Sequence, residues 1–365
     1  MKIILTGGGT GGHIYPAISI GQALKRAAPD VDLLFVGSSH GPEGEIAREA
    51  GISFKAIPSS PLTKSVSVRN MISLGRLMVG VLRARRLLRG FGPDVVIGTG
   101  GYTSAAIVLA QWTLRGRIVI HEQNAVPGKT NLGLARMADK ICVSIESSAK
   151  YFPADKVEVT GLPIRGEFAS LEDKLDARQK LGLNDELFTI VVVGGSQGAR
   201  GINKVVCAAW PEINDGSTQI LHQVGSRNID EMRARCGEEP NYRVEAYVDT
   251  PLAFAAADLL IARSGGTIAE ITAAGLPSIL FPYPYHKDQH QKKNAQYLVE
   301  HGAAVMCEDN VTKPAQLAQI IKDLRSSPDK LKAMASASAA LGKVDAADRV
   351  ARIALAVAAR GCAKG

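Results

Sequence analysis

Short apolar runs alternate with helical patterns along the first half of the chain. The runs carry few polar residues, and they read "KIILT", "DLLFVG", "FKAIP", "DVVIGT", "RIVIHE", "KICVS" and "VEVTG". Strands of this kind are typical of a sheet that helices cover on both faces. The pattern therefore predicts an α/β fold with a parallel sheet, in which strands and helices follow one another.

The same pattern starts again in the second half. Residues 188–206, "FTIVVVGGSQGARGINKVV", repeat the order of apolar strand, glycine loop and helix that opens the chain. The β-rich runs "STQILHQV", "YRVEAYV", "DLLIARSGGTIAE" and "PSILFPY" follow. A chain of 365 residues is long enough for two cores. We predict two doubly wound Rossmann-like domains of similar build.

The domain boundary falls in "VTGLPIRGEF", residues 159–168, where glycine and proline suit a hinge. We place the first domain at residues 1–163 and the second at residues 164–342. The remaining stretch, about 343–361, has the pattern of an Ala-rich amphipathic helix. This helix can pack on either domain, including back on the first.

The first strand ends in a glycine-rich loop, "TGGGTGGH", followed by a helix. Backbone N–H groups in such a loop approach a ligand closely, and the helix N-terminus favours negative charge, so phosphate or an oxyanion is the expected ligand. The pattern G-x-G-x-x-G is present at Gly7, Gly9 and Gly12. However, the second strand, "DLLFVGSSHG", does not end in the acidic residue that binds a ribose hydroxyl. A nicotinamide cofactor is therefore not favoured.

His13 follows this loop directly, at the start of the helix. The positive end of a helix dipole disfavours an imidazolium, and a neutral imidazole is what a general base requires. The alternative is that His13 only forms a hydrogen bond to a loop carbonyl. Its position in the sequence leaves both roles open.

No metal site is predicted. His286 and His290 flank Asp288, but no third ligand is evident nearby. Asp30 and Asp32 form a D-x-D pattern that opens a strand, whereas ligands of open α/β sheets lie beyond the carboxyl ends of the strands. The five cysteines are scattered without a C-x-x-C pair, which favours free thiols in a reducing compartment. No signal peptide or membrane-spanning run is visible, which indicates the cytoplasm.

Seven longer motifs occur in one order along the chain. They read "TGGGTGGHIYPA", "GTGGYTSAA", "HEQNAVPGKTN", "VTGLPIR", "VVVGGSQGAR", "RSGGTIAEITAAGLPSILFPYP" and "HKDQHQKKNA". In order and spacing the chain resembles the N-acetylglucosaminyltransferase family of peptidoglycan synthesis, the MurG family. Two details depart from the family pattern: the loop "RSGGTIAE" is one residue shorter than in many members, and His290 stands where glutamine is common.

The resemblance implies the GT-B glycosyltransferase architecture, in which two domains face each other across a cleft. It implies an inverting transfer of N-acetylglucosamine from its uridine diphosphate (UDP) carrier to the 4-hydroxyl of undecaprenyl-linked N-acetylmuramyl-pentapeptide, with no cofactor. The second domain would bind the donor and the first the acceptor. The implied place is the cytoplasmic face of the plasma membrane, with an anionic lipid surface and cell-wall or division proteins as partners.

For the implied reaction, His13 is the predicted base for the acceptor hydroxyl because of its place at the helix start, with help from Glu122. The implied donor contacts are Thr10, Gly11, Gly12, Asn124, Arg165, Ser196, Val248, Ser264, Gly265, Gly266, Thr267, Glu270 and Gln291.

Four of these residues have a second role that the sequence leaves open. Arg165 suits a diphosphate, or equally a surface ion pair between the domains. Glu270 suits the ribose hydroxyls, but Thr267-x-x-Glu270 also fits a helix capping box. Gln291 suits sugar hydroxyls, or is an ordinary exposed helix residue. Glu122 either orients the acceptor hydroxyl or has a structural role.

A basic segment accounts for a charge equal to the whole net charge of +8. No acidic residue lies between Glu49 and Asp94, and the segment is predicted to contain a helix over residues 69–89. Composition alone favours a buried helix with a solvated arginine edge, but a lipid-borne acceptor favours a helix that rests on an anionic membrane. The residues predicted to face the membrane are Arg69, Arg76, Leu77, Arg83 and Arg86. The segment lacks tyrosine and tryptophan, so nucleic-acid binding is not favoured.

Two other function classes remain open. A UDP-N-acetylglucosamine epimerase on the same frame would isomerise the sugar without a lipid and would leave the arginine stripe unexplained. A non-catalytic membrane adaptor would tolerate the loss of His13 and Glu270.

Overall fold

The structure is a computed structural model that describes residues 1–58, 68–195, 198–237, 239–285 and 289–362, without the side chains of residues 68–74, 76, 361 and 362. The chain divides into two compact units. The first comprises Met1–Arg165 together with Val344–Gly365, and the second comprises Gly166–Lys343.

The first unit contains a seven-stranded sheet in the order β3-β2-β1-β4-β5-β6-β7, and every neighbouring pair is parallel. Its strands are β1 Lys2–Thr6, β2 Asp32–Ser38, β3 Ser53–Ile57, β4 Val95–Gly98, β5 Arg117–Glu122, β6 Lys140–Val143 and β7 Val157–Val159. Its helices are α1 Gly11–Ala27, α2 Glu43–Glu49, α3 Val68–Phe91, α4 Gly101–Thr113, α5 Lys129–Leu134 and, from the end of the chain, α14 Ala346–Cys362. All seven strands predicted in this half are confirmed.

Two apolar layers cover this sheet, one on each face. Residues of α1, α2 and α14 pack on one face, and residues of α3, α4 and α5 pack on the other. The strands are consequently buried on both sides, which explains why their sequences are continuous apolar runs. The chain runs outward from β1 through β2 to β3, and β4 is then placed on the other side of β1. The loops after β1 and β4 therefore meet at the switch in strand order, which is where ligands of such folds bind.

The second unit contains a six-stranded parallel sheet in the order β10-β9-β8-β11-β12-β13. Its strands are β8 Phe188–Val193, β9 Thr218–Gln223, β10 Tyr242–Glu245, β11 Leu259–Ala262, β12 Ser278–Leu280 and β13 Ala304–Met306. Its helices are α6 Lys174–Leu181, α7 Arg200–Ile213, α8 Ile229–Cys236, α9 Thr250–Ala256, α10 Thr267–Ala273, α11 His290–Glu300, α12 Pro314–Arg325 and α13 Pro328–Leu341. Five of these strands are predicted from the sequence, and the three-residue β13 is not.

The carboxyl-terminal helix α14 packs on α1 within the first unit. Its apolar face joins the core of that unit through Val350, Ala351 and Ala354, and Asp348 accepts a hydrogen bond from Arg26 at 2.9 Å. The first unit is therefore built from both ends of the chain. Within the described ranges, no helix combines the length and apolar character needed to cross a lipid bilayer.

Candidate active site

His13 lies in the first turn of α1, with its ring held by two acceptors. Its Nδ1 is 2.9 Å from the carbonyl oxygen of Thr99 and 3.1 Å from Oε1 of Gln123. Because both partners accept, Nδ1 carries the hydrogen. A neutral His13 then keeps its lone pair on Nε2, which is the atom that can take a proton. The bond to a loop carbonyl, considered above as an alternative to the base, is compatible with it.

A second glycine loop, which follows β4, fixes the position of His13. Gly101 has φ 82°, and a Cβ there would lie 2.1 Å from the carbonyl oxygen of Gly8. Only glycine fits this close approach, which brings the loops after β1 and β4 together. The Thr99 hydroxyl, in the same loop, donates to the carbonyl oxygen of His13 at 2.6 Å. Both the backbone and the ring of His13 are therefore bound to this loop.

Glu122 is buried, and hydrogen bonds within the first unit engage both of its carboxylate oxygens. Oε1 accepts from the backbone N–H and the Nδ2 of Asn124, at 2.9 and 3.3 Å. Oε2 accepts from the N–H of Gly128 at 3.0 Å and from Nδ2 of Asn131 at 2.8 Å. These contacts support the structural role that the sequence left open, because four donors already occupy the carboxylate that would assist the proton transfer. Glu122 thereby holds Asn124, a predicted donor contact, in place.

Some N–H groups of the first glycine loop form hydrogen bonds within the protein, and others lie at the N-terminus of α1. The N–H of Gly9 donates to the buried carboxylate of Glu43 at 3.0 Å. Thr10 is the N-cap residue of α1, and its side chain makes no capping hydrogen bond with the described residues. The N–H of His13 donates to the carbonyl oxygen of Thr10. The N–H groups of Gly11 and Gly12 precede that bond, so an anion at this terminus would contact them.

The second unit has a cavity of about 660 Å³ beside its own glycine loop. It is lined by Gly194, Gly195, Gly198, Ala199, Arg200, Gly201, Arg263, Tyr283, Tyr285, Gln291, Asp309 and Asn310. Gln291, predicted to contact the sugar, lies in this lining, and its Oε1 accepts from the N–H of Tyr283 at 2.9 Å. Its NH₂ group is therefore the part suited to a sugar hydroxyl. Arg263 forms a largely buried ion pair with Asp309, with 2.6 Å between NH2 and Oδ2.

Two predicted donor contacts have their polar groups occupied inside the second unit. The buried Ser264 donates its hydroxyl to the carbonyl oxygen of Gln291 at 2.8 Å, and its own carbonyl accepts from Asn294 at 3.1 Å. Val248 is also buried, and its N–H donates to Oε1 of Gln223 at 3.1 Å. Ser264 thus ties its loop to α11 and positions Gln291.

The start of α10 decides one alternative for Glu270. Gly266 is the N-cap residue and Thr267 is the first helical residue, whereas a capping box would require Thr267 at the N-cap. The capping-box interpretation is therefore wrong. Glu270 is half-buried one turn into the helix, and Gly265 precedes the N-cap in the same loop.

The remaining predicted residues divide between described and undescribed parts of the chain. Arg165 is half-buried and is the last residue of the first unit before the chain enters the second. Ser196, His286 and Asp288 lie outside the described residues, as do the side chains of Arg69 and Arg76. Among the described residues, no group of three or more histidine, cysteine, aspartate or glutamate side chains is placed to hold a metal ion.

Helix α3 buries one face and exposes another. Leu77, predicted to face the membrane, is half-buried against the core with Val81, so that part of the prediction is corrected: α3 uses this side to pack on the unit. The exposed apolar side chains are Met78, Val79 and Leu82. Arg83 and Arg86, also exposed, lie beside them at helical spacing.

Known proteins match the chain over nearly its full length. Residues 3–143 match the glycosyltransferase family 28 N-terminal domain, and residues 189–350 match the glycosyltransferase family 28 C-terminal domain. A protein of Desulforudis audaxviator is 41% identical, over 96% of each chain, and carries the name UDP-N-acetylglucosamine–N-acetylmuramyl-(pentapeptide) pyrophosphoryl-undecaprenol N-acetylglucosamine transferase. The chain belongs to the MurG family. A relative of the same name from Lactiplantibacillus plantarum is 39% identical, over 96% of this chain and 98% of its own.

Solved structures agree with this family and with the fold. The crystal structure of MurG from Acinetobacter baumannii has a TM-score of 0.79 and 27% identity, covering 97% of this chain and 99% of its own. A UDP-N-acetylglucosamine 2-epimerase from Neisseria meningitidis has a TM-score of 0.66 at 14% identity, covering 97% of this chain and 100% of its own. At that identity the epimerase shares the fold alone. The two-domain α/β fold of the MurG family is thereby confirmed.

Two residues that contact the candidate base, Thr99 and Gln123, are not among the site residues predicted from the sequence. A signal was available for Gln123: residues two apart on a strand project to the same side, so His121 and Gln123 share one side and Glu122 takes the other. Thr99 carried a weaker signal, since it directly follows β4, the neighbour of β1 in the sheet. Both residues lie where the carboxyl ends of parallel strands meet.

Proposed function

We propose that this chain transfers N-acetylglucosamine from UDP-N-acetylglucosamine to the 4-hydroxyl of undecaprenyl-linked N-acetylmuramyl-pentapeptide, with inversion at the anomeric carbon. The observation that carries the proposal is the identity of 38–41% with relatives named for this transferase, over nearly the full length of both chains. Inversion needs a single displacement, and therefore one base and one stabilised leaving group.

His13 supplies the base in this mechanism. Its Nδ1 is engaged by Thr99 and Gln123, so the lone pair of the neutral ring lies on Nε2, ready to receive the proton of the acceptor hydroxyl. UDP departs toward backbone amides and Arg165, which suit the charge that develops on the diphosphate. The cavity beside the glycine loop of the second unit, with Gln291 in its lining, suits the donor.

The same proposal places the enzyme on the cytoplasmic face of the plasma membrane as a peripheral protein. Met78, Val79 and Leu82 form an exposed apolar strip on α3, and Arg83 and Arg86 flank it. Trp112, on the adjoining helix α4, is also exposed. An apolar strip bordered by arginines suits an anionic lipid surface, where each basic residue contributes on the order of 1 kcal/mol. A lipid-anchored acceptor requires the catalyst to work at such a surface.

The test is transfer of labelled N-acetylglucosamine from UDP into organic-extractable lipid, with the lipid-linked muramyl-pentapeptide as acceptor and a chelator present. Wild type should label the lipid, and His13→Ala should lose about 10²- to 10⁴-fold in kcat. The control is His301→Ala, which removes an exposed histidine at the end of α11 and should leave kcat unchanged.

Three outcomes would overturn parts of the proposal. If wild type labels no lipid, the reaction is wrong, and isomerised UDP-sugar in the same mixture would favour the epimerase instead. If His13→Ala labels lipid at the wild-type rate, His13 is not the base. If His13→Ala also stops binding UDP in calorimetry, the loss reflects the fold rather than proton transfer.

A further inference from the structure

We propose that Gln123 and His121 are positioning residues that set which ring nitrogen of His13 carries hydrogen. The three side chains form one hydrogen-bonded chain at the carboxyl ends of β1 and β5, and its direction is fixed by backbone carbonyls. The proposal rests on the proposed function only in giving His13 the proton transfer.

The orientation of the Gln123 amide is decided by its surroundings. One end lies 2.7 Å from the carbonyl oxygen of Thr99 and 3.0 Å from that of His121. Only an NH₂ group can face two carbonyl oxygens at these distances, because an amide oxygen there would be repelled by both. The nitrogen of Gln123 therefore lies at this end, and its oxygen faces His13.

This orientation settles the state of the His13 ring. The oxygen of Gln123 is 3.1 Å from Nδ1 of His13, and the carbonyl oxygen of Thr99 is 2.9 Å from the same atom. Nδ1–H donates to both, so Nε2 is the lone-pair nitrogen whenever the ring is neutral. The opposite tautomer would place the lone pair of Nδ1 against two oxygens and put hydrogen on the atom that must receive the proton.

His121 completes the chain with the opposite tautomer. Its Nε2–H donates to the carbonyl oxygen of Gly161 at 3.0 Å, and its Nδ1 lies 3.2 Å from the Gln123 amide nitrogen, so it shares one of the two amide hydrogens with a neighbouring carbonyl oxygen. Burial lowers the pKa of His121 to about 4, although the bond to Gly161 raises it in part. Near pH 7 a neutral His121 has an unprotonated Nδ1 that accepts a hydrogen bond, and this bond holds the nitrogen end of the Gln123 amide. Gly161 lies in the segment that leads to Arg165 at the end of the first unit.

The first measurement is the nitrogen NMR spectrum of the full-length wild type with labelled histidine, since protonated and unprotonated ring nitrogens give separate signals. We expect His13 to be protonated at Nδ1 and His121 at Nε2, with the His13 signals assigned by their absence in His13→Gln. Finding His13 protonated at Nε2 would overturn the proposal. This result does not depend on transferase activity, so it stands apart from a failure of the proposed function.

The second measurement is kcat for variants of Gln123. Gln123→Leu should lower kcat by about tenfold to a hundredfold, while the KM for UDP-N-acetylglucosamine stays unchanged. Gln123→Glu should not rescue the enzyme, because a carboxylate cannot donate to the carbonyls of Thr99 and His121. The matched control is Gln111→Leu, another buried glutamine of the first unit, whose amide donates to the carbonyl of Arg117.

The control decides between positioning and general destabilisation. Gln111→Leu should keep the wild-type kcat. A loss in Gln123→Leu no larger than that in Gln111→Leu would overturn the proposal, as would a Gln123→Glu enzyme that is as active as wild type.

Discussion

Gly100 lies directly against the imidazole of His13: a Cβ at position 100 would be 3.0 Å from both Nδ1 and Cε1 of the ring. Gly100 also has φ 104°, a conformation that side chains other than glycine adopt only at a cost. The backbone of the second glycine loop is therefore one wall of the space that holds the candidate base.

Gly100→Ala should lower kcat by more than tenfold, because the new methyl group pushes the ring of His13 away from Thr99 and Gln123 and misplaces Nε2. Steady-state transfer kinetics measure the effect. Gly92→Ala is the control, since Gly92 also has a positive φ, 68°, but apart from its two chain neighbours no atom of the described residues lies within 4 Å of its added Cβ. Equal losses of kcat in the two variants would show that backbone strain, and not contact with His13, is responsible.

Glu122→Gln should destabilise the first unit by about 2–4 kcal/mol, because the new NH₂ group faces two donors and leaves them without an acceptor. Urea unfolding measures the change. The same substitution at Glu158, whose exposed carboxylate pairs with Lys140 at 2.8 Å, should cost less than about 1 kcal/mol. If Glu122→Gln is as stable as Glu158→Gln, the four hydrogen bonds to Glu122 do not hold the loop.

Acidification should destabilise the fold through two buried histidines. Burial lowers the pKa of His121 to about 4 and that of His222 to about 3, against 6.5 for an ordinary histidine. The unfolded chain therefore binds more protons than the folded chain as pH falls below 6.5, and stability falls with it. Each histidine should cost about 2 kcal/mol between pH 7.5 and pH 5.

Urea unfolding of wild type and His222→Gln at the two pH values tests this dependence. The variant should lose about 2 kcal/mol less than wild type on acidification, whereas His301→Gln, which removes an exposed histidine, should lose as much as wild type. An unchanged pH dependence in His222→Gln would show that this histidine has the same pKa in the folded and the unfolded chain.

Leu82→Gln should weaken binding to anionic vesicles severalfold, because Leu82 is 66% exposed on the apolar strip of α3. Co-sedimentation with vesicles that contain an anionic lipid measures the effect. Val311→Gln is the control, since Val311 is 65% exposed and belongs to the second unit. Equal binding by Leu82→Gln and Val311→Gln would remove α3 from the proposed membrane surface.

The fold was more predictable from the sequence than the details of the site. Continuous apolar runs identify buried parallel strands, so twelve of the thirteen strands in the described residues follow from the pattern, and β13 is the exception. Helical spacing placed Leu77 on an apolar face of α3, but it could not tell whether that face meets the core or a membrane. The role of Glu122 depends on four donors, two of them backbone amides, which no residue pattern encodes.

The contribution of α14 to the first unit bears on the order in which the protein can fold. Residues 344–362, which include α14, are synthesised after residues 166–343. The apolar side of α1 that α14 covers therefore stays exposed while the second unit is synthesised. Domains usually fold in the order of their synthesis. Here the second unit can fold first, and the first unit becomes complete only after residues 344–362 have been synthesised. A nascent chain arrested before residue 344 would therefore present an open apolar surface to chaperones and proteases.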